Sequence, residues 1–158
     1  MSLAPRLLLG ALPVLSAQAP PPALPSDLTA FFSGAWTGMG AFASGKPIEA
    51  DVTFAPELGG RWLAYRHRDR PPGRYEALGL WGADPATGGL LMTLHDNGGG
   101  FRRFEAGGWK EGRLVFTCGA RERFTFERQG DGFRMTYEVS RDGQAWRLVD
   151  ALTFQRKP

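Results

Sequence analysis

A chain of 158 residues with 42% apolar and 22% charged side chains has room for one domain with a true hydrophobic core and little more. Its net charge is +3, with acids interspersed among the arginines, so it lacks the clustered basic face that nucleic-acid binding requires. A single cysteine, Cys118, excludes an intrachain disulfide, a cysteine-based zinc site and a thioredoxin-type pair.

Residues 1–19 read as a signal peptide. Met1 to Arg6 supply a positive start, and Leu7 to Leu15 form an apolar run of nine residues. Ser16-Ala17-Gln18-Ala19 then offers a small-residue cleavage site. The apolar run is far short of the roughly 20 residues a bilayer-spanning helix needs, so no membrane span is expected. The predicted location is periplasmic or secreted. Residues 20–25, Pro-Pro-Pro-Ala-Leu-Pro, form a stiff spacer. A single domain is expected over 26–158.

That domain opens with one or two helical turns, capped by Ser26 or Asp27. Leu28, Phe31 and Phe32 share a face at helical spacing, so the turn should lie apolar side down over one end of the remaining fold. Gly34 ends it. From there one unit repeats: a short strand, then a turn rich in Gly, Asp, Asn or Pro. Strands are predicted near 35–43, 48–55, 61–69, 75–82, 90–95, 101–106, 113–117, 120–128, 133–140 and 145–155. No segment between them is long enough for a crossover helix, so neighbours must be antiparallel. Short, uniform hairpins favour an all-β fold, an antiparallel up-and-down β-barrel of about ten strands capped by the N-terminal helical turn. Phe133, Met135, Tyr137 and Val139 alternate with polar neighbours. Leu114, Phe116, Phe124 and Phe126 extend that lining, and Trp146, Leu148, Leu152 and Phe154 should complete it, with Asp150 on the same parity.

Chemistry-bearing residues are sparse. The first and last strands must pair to close a barrel, which brings Arg156 to Trp36 and permits a cation–π clasp. Of the two histidines, His67 in Arg66-His67-Arg68-Asp69 reads as a solvated strand end, and His95 before the triple-glycine turn reads as a rim residue. Two isolated histidines do not make a zinc site. Arg103 and Arg123 are candidates for gripping a carboxylate if they point inward, and otherwise coat the outer wall. No nucleophile elbow, P-loop or HExxH motif occurs.

Gly34-Ala35-Trp36, Leu58-Gly59-Gly60-Arg61, Trp81-Gly82-Ala83-Asp84, Asp142-Gly143-x-x-Trp146 and the closing Phe154-Gln155-Arg156, in that order, carry a resemblance. Over residues 30–157 the chain resembles a bacterial calycin-like family of unknown function, related to lipocalins, fatty-acid-binding proteins and nitrobindin-like barrels. The resemblance implies a barrel of about ten strands with a small internal cavity. Leu63-Ala64-Tyr65 and Leu94-His95 are similar to segments of the haem-binding nitrobindins. Their haem-ligating histidine lies on the last strand, and residues 145–156 contain none, so no cofactor is carried over.

The leading expectation is a barrel holding a small apolar or amphipathic molecule. Its lining would come from Phe116, Phe124, Phe126, Met135, Tyr137 and Trp146, with Tyr65, Trp81, His95 and Arg103 as further ligand-contacting candidates. Two other readings stand beside it. One is a barrel-mouth enzyme or haem-type binder using His95, with Tyr65 or Asp96. The other is a non-catalytic interaction module docking through outer aromatics such as Trp62 or Trp109.

Overall fold

The computed structural model describes residues 22–158, so the expected leader and the first two residues of the spacer lie outside the described residues. One helix, α1 (Ser26–Phe32), precedes ten strands. These are β1 (Gly34–Phe42), β2 (Pro47–Glu57), β3 (Trp62–Asp69), β4 (Glu76–Ala83) and β5 (Leu90–Asp96). Next come β6 (Phe101–Ala106), β7 (Arg113–Cys118), β8 (Glu122–Gln129), β9 (Gly132–Val139) and β10 (Arg147–Arg156). Each strand pairs with its neighbours in sequence, and β1 pairs with β10, closing an antiparallel meander barrel. The expected fold is the observed one.

The helical cap differs in detail from its prediction. Pro25, with extended ψ, occupies the N-cap position, and no side chain caps the helix. Ser26 and Asp27 sit inside the first turn instead, Asp27 where a carboxylate favours the helix dipole. Leu28 and Phe32 are fully buried and Phe31 partly so. Phe32 is the centre of one barrel end: its ring meets Phe54 at 5.0 Å, Trp81 at 5.2 Å and Phe133 at 5.2 Å. Phe116 and Phe126 pack against Trp81 in the same layer, at 5.2 and 4.9 Å. Mostly edge-to-face, these contacts fill the helix end without a gap for a guest.

Closure is made at one seam. Trp36 and Arg156 are register partners across β1 and β10, and the Arg156 guanidinium lies 4.2 Å over the indole. Its two terminal nitrogens donate to the carbonyls of Ser33 and Phe31, each at 2.6 Å, which are orphan acceptors at the C-terminus of α1. The indole Nε1 donates to Phe32 O at 2.8 Å. Gly34 carries φ +124°, and a Cβ there would press on the Arg156 head at 2.7 Å. At Gly40 a Cβ would run into the backbone of Ala151, so β1 and β10 approach more closely than any side chain allows.

Along β10 the register shifts between Leu148 and Asp150. This one-residue bulge reverses the parity expected for the strand's start. Leu152 and Phe154 face inward as predicted, but Leu148 pairs with Glu138 and is 42% exposed. Trp146 lies outside the cavity under the Arg123 guanidinium, 4.4 Å away.

Arg156→Ala and Arg156→Lys are both expected to lower unfolding free energy by about 1–2 kcal/mol, because lysine keeps the charge and loses the planar fork. Urea titration followed by tryptophan fluorescence measures this. Equal midpoints for Arg156→Lys and the parent chain would show that charge alone holds the seam.

Candidate functional site

At the barrel end opposite α1 the packing stops, and a cavity of about 350 Å³ opens. Its apolar wall includes Ile48, Leu94, Phe124, Met135 and Leu152, with Phe42 and Val149 nearer the mouth. A volume of this size falls at the small end of ligand pockets, about 300–1,000 Å³.

Its polar wall begins on β3. In a strand, residues two apart share a face, so Tyr65, His67 and Asp69 all point inward; they are 4%, 5% and 8% exposed. The Asp69 carboxylate accepts from His67 Nε2 at 2.9 Å. With Nε2 donating to that carboxylate, Nδ1 is left to meet the Tyr65 hydroxyl, also at 2.9 Å. Met135 Sδ lies 3.7 Å from the same hydroxyl. Burial raises the Tyr65 phenol well above its ordinary range, helped by the nearby charges of Asp150 and Asp69, so it stays a donor. Both ring nitrogens of His67 are therefore committed. The relay fixes the orientation of three side chains and leaves His67 no free ring nitrogen.

The second polar group spans β5, β6, β8 and β9. Arg102 reaches Asp96 on one side and Glu122, at 3.2 Å, on the other. Glu122 also accepts from Tyr137 at 2.8 Å, and Tyr137 stacks on Phe124 at 4.6 Å. Burial, then the Glu122 contact, pushes the Tyr137 phenol up. Asp96 Oδ1 accepts from the amides of Gly98 and Gly100, which fixes the turn after β5.

Asp150, on β10, completes the wall. Burial raises its carboxyl to about 6, the nearby His67 ring opposes the rise and Asp69 adds to it. Its Oδ1 is buried without a hydrogen-bond partner, as is Arg102 Nε.

The predicted site residues divide cleanly. Tyr65, Phe124, Met135 and Tyr137 line the cavity. Trp81, Phe116 and Phe126 face inward but belong to the packed helix end, fully or almost fully buried. Three candidates point out of the lumen. His95 is exposed on the outer wall, its ring 4.8 Å from Phe101. It pairs with Leu78 across β4, so it falls on the opposite parity from Leu94. Arg103 bridges Asp84 at 2.9 Å on the outside, and Trp146, in the connection before β10, lies under Arg123. His67, read as solvated, is buried. Trp109 folds against Phe31 at 5.8 Å, and Trp62 lies over Gly82. Among the described residues no three His, Cys, Asp or Glu side chains gather where a metal could sit, and no helix is long and apolar enough to cross a membrane.

No family model matches this chain, and no curated protein sequence does. Thirteen chains of solved structures match it. One is the crystal structure of Rv2717c from M. tuberculosis, with a TM-score of 0.59 and 18% identity over 86% of this chain and 100% of that one. At that identity the likeness concerns the barrel fold.

Tyr65→Phe keeps the ring and strands His67 Nδ1, so a loss of about 1–3 kcal/mol is expected by urea denaturation. The Asp150 carboxyl binds its proton more tightly folded than unfolded, so stability falls as pH climbs from about 4 to about 6. Asp150→Asn should therefore match the parent at pH 4 and exceed it by about 1–3 kcal/mol above pH 7. Parallel stability profiles would contradict this.

Proposed function

We propose that this protein is a secreted or periplasmic calycin-like barrel that carries a small amphipathic molecule in the open half of its lumen. One observation supports this above all. The same inward-facing aromatic layer that fills the helix end stops short of the other end, leaving a cavity of about 350 Å³ with an apolar wall and converging polar groups. Proteins close such space unless something else fills it, because interiors pack at near-crystalline density. The leader-like residues 1–19 and the proline-rich spacer support export.

Neither competing expectation keeps its leading residues, although Tyr65 and Asp96 of the enzymatic set do line the cavity. The enzymatic or haem-type reading rested on His95, which is exposed on the outer wall. The docking reading rested on Trp62 and Trp109, each folded onto the barrel's own surface. The buried Tyr65–His67–Asp69 relay fits a holding role. It orients a hydroxyl and a carboxylate at the cavity floor, and freeing His67 as a base would break a 2.9 Å hydrogen bond.

Titration with the neutral solvatochromic dye Prodan tests the reading. A saturable blue shift is expected, and Ile48→Trp, which projects an indole into the cavity, should weaken it at least about tenfold, a change of ~1.4 kcal/mol. Undiminished binding by a folded Ile48→Trp protein would place the dye elsewhere and overturn the proposal.

A further inference from the structure

The whole chain carries a net charge of +3, yet three carboxylates and one guanidinium line the cavity: Asp69, Asp96, Asp150 and Arg102. The barrel mouth thus has the opposite sign from the protein. Most of this charge is already answered. Asp69 is held by His67, and Asp96 by Arg102 and two backbone amides. Arg102 is shared between Asp96 and Glu122.

Asp150 is the exception. Its carboxylate takes no hydrogen bond from any described residue, and Oδ1 is enclosed. The neighbouring His67 ring has both nitrogens engaged by Tyr65 and Asp69 and so has no N–H left to offer. A half-buried carboxylate without a donor is costly to a fold. The missing partner must bring hydrogen-bond donors, and positive charge would serve best.

We infer that the open half of this barrel is an amine site, taking an amphipathic molecule whose protonated amino group meets Asp150 while its apolar body lies along Ile48, Leu94, Phe124, Met135 and Leu152. The inference rests on the lumen-binding reading above and narrows it to one charge class. An anion would face three carboxylates and a guanidinium already held by two others. A neutral guest would leave Asp150 uncompensated. An ammonium brings three donors and a charge into a site walled largely by apolar side chains, where Coulomb attraction is stronger than in bulk water.

Three naphthalenes of matched shape separate these cases: 1-naphthylmethylamine, 1-naphthalenemethanol and 1-naphthoic acid, titrated calorimetrically against the full-length chain. The amine is expected to bind at least about tenfold tighter than the alcohol, equivalent to ~1.4 kcal/mol, and the acid weakest. Asp150→Asn should bring the amine down to the alcohol and leave the alcohol unchanged. The unaltered protein provides a second measurement. Facing Asp150 are Tyr65, His67 and Asp69 from β3, Tyr137 from β9 and Tyr75 from the β3–β4 connection. Amine affinity should rise between about pH 5 and pH 7 as that carboxyl ionises, while alcohol affinity stays flat. Equal affinity for all three compounds, or an amine preference that survives Asp150→Asn, overturns the inference and leaves the lumen reading standing. If none of the three binds while Prodan does, the inference alone falls. If Prodan is also unbound, the lumen reading falls with it.

Discussion

Everything in this barrel depends on a cation lying flat on an indole. Arg156 stacks on Trp36 and donates in the same plane to two carbonyls at the end of α1. One side chain thereby joins the last strand to the first and locks the helix over the opening between them. Only a planar guanidinium does all three, since its donors lie in the plane of its own stacking face. The glycines of β1 are the counterpart of that clasp. They let the two strands come close enough for the ends of the chain to meet.

From this seam the interior divides along the barrel axis. Toward α1 the lumen is filled by buried rings in mostly edge-to-face contact. Toward the other end the same inward parity carries Tyr65, His67, Asp69, Asp96, Arg102 and Asp150. A packed layer supplies the free energy that holds a polar layer in place. The balance is visible in the groups left over: a raised carboxyl on Asp150 and unpartnered Arg102 Nε and Trp81 Nε1 are tolerated because the packed aromatic half is large enough to offset them.

Much of the architecture was legible in the residues. Turn chemistry punctuated the strands to within a few positions, and a barrel that must close brought Trp36 and Arg156 together. The site was harder, for three physical reasons. Arg66-His67-Arg68-Asp69 alternates polar residues on both faces, so hydrophobic periodicity gives no inward side. The period-two signal that existed, Tyr65-x-His67-x-Asp69, has no apolar member to announce it beyond the tyrosine. A bulge between Leu148 and Asp150 is invisible to alternation, and it turned Leu148 outward, while Trp146 falls before the strand begins. Lastly, inward-facing aromatics look alike in sequence whether they line space or fill it. Phe124 borders the cavity and Phe126, two residues on, belongs to the packed layer. Distance along the barrel axis separates them, and a single strand does not encode how deep the helix sits.

The bulge in β10 has a meaning beyond parity. It sits at the cavity end of the strand that also bears Arg156, so one ribbon carries the closing clasp at one end and part of the cavity rim at the other. Residues exchanged around position 149 would reshape the entrance while the closing contact lies at the far end of the same strand. Natural variation could therefore reshape the cavity mouth without disturbing the clasp that closes the barrel.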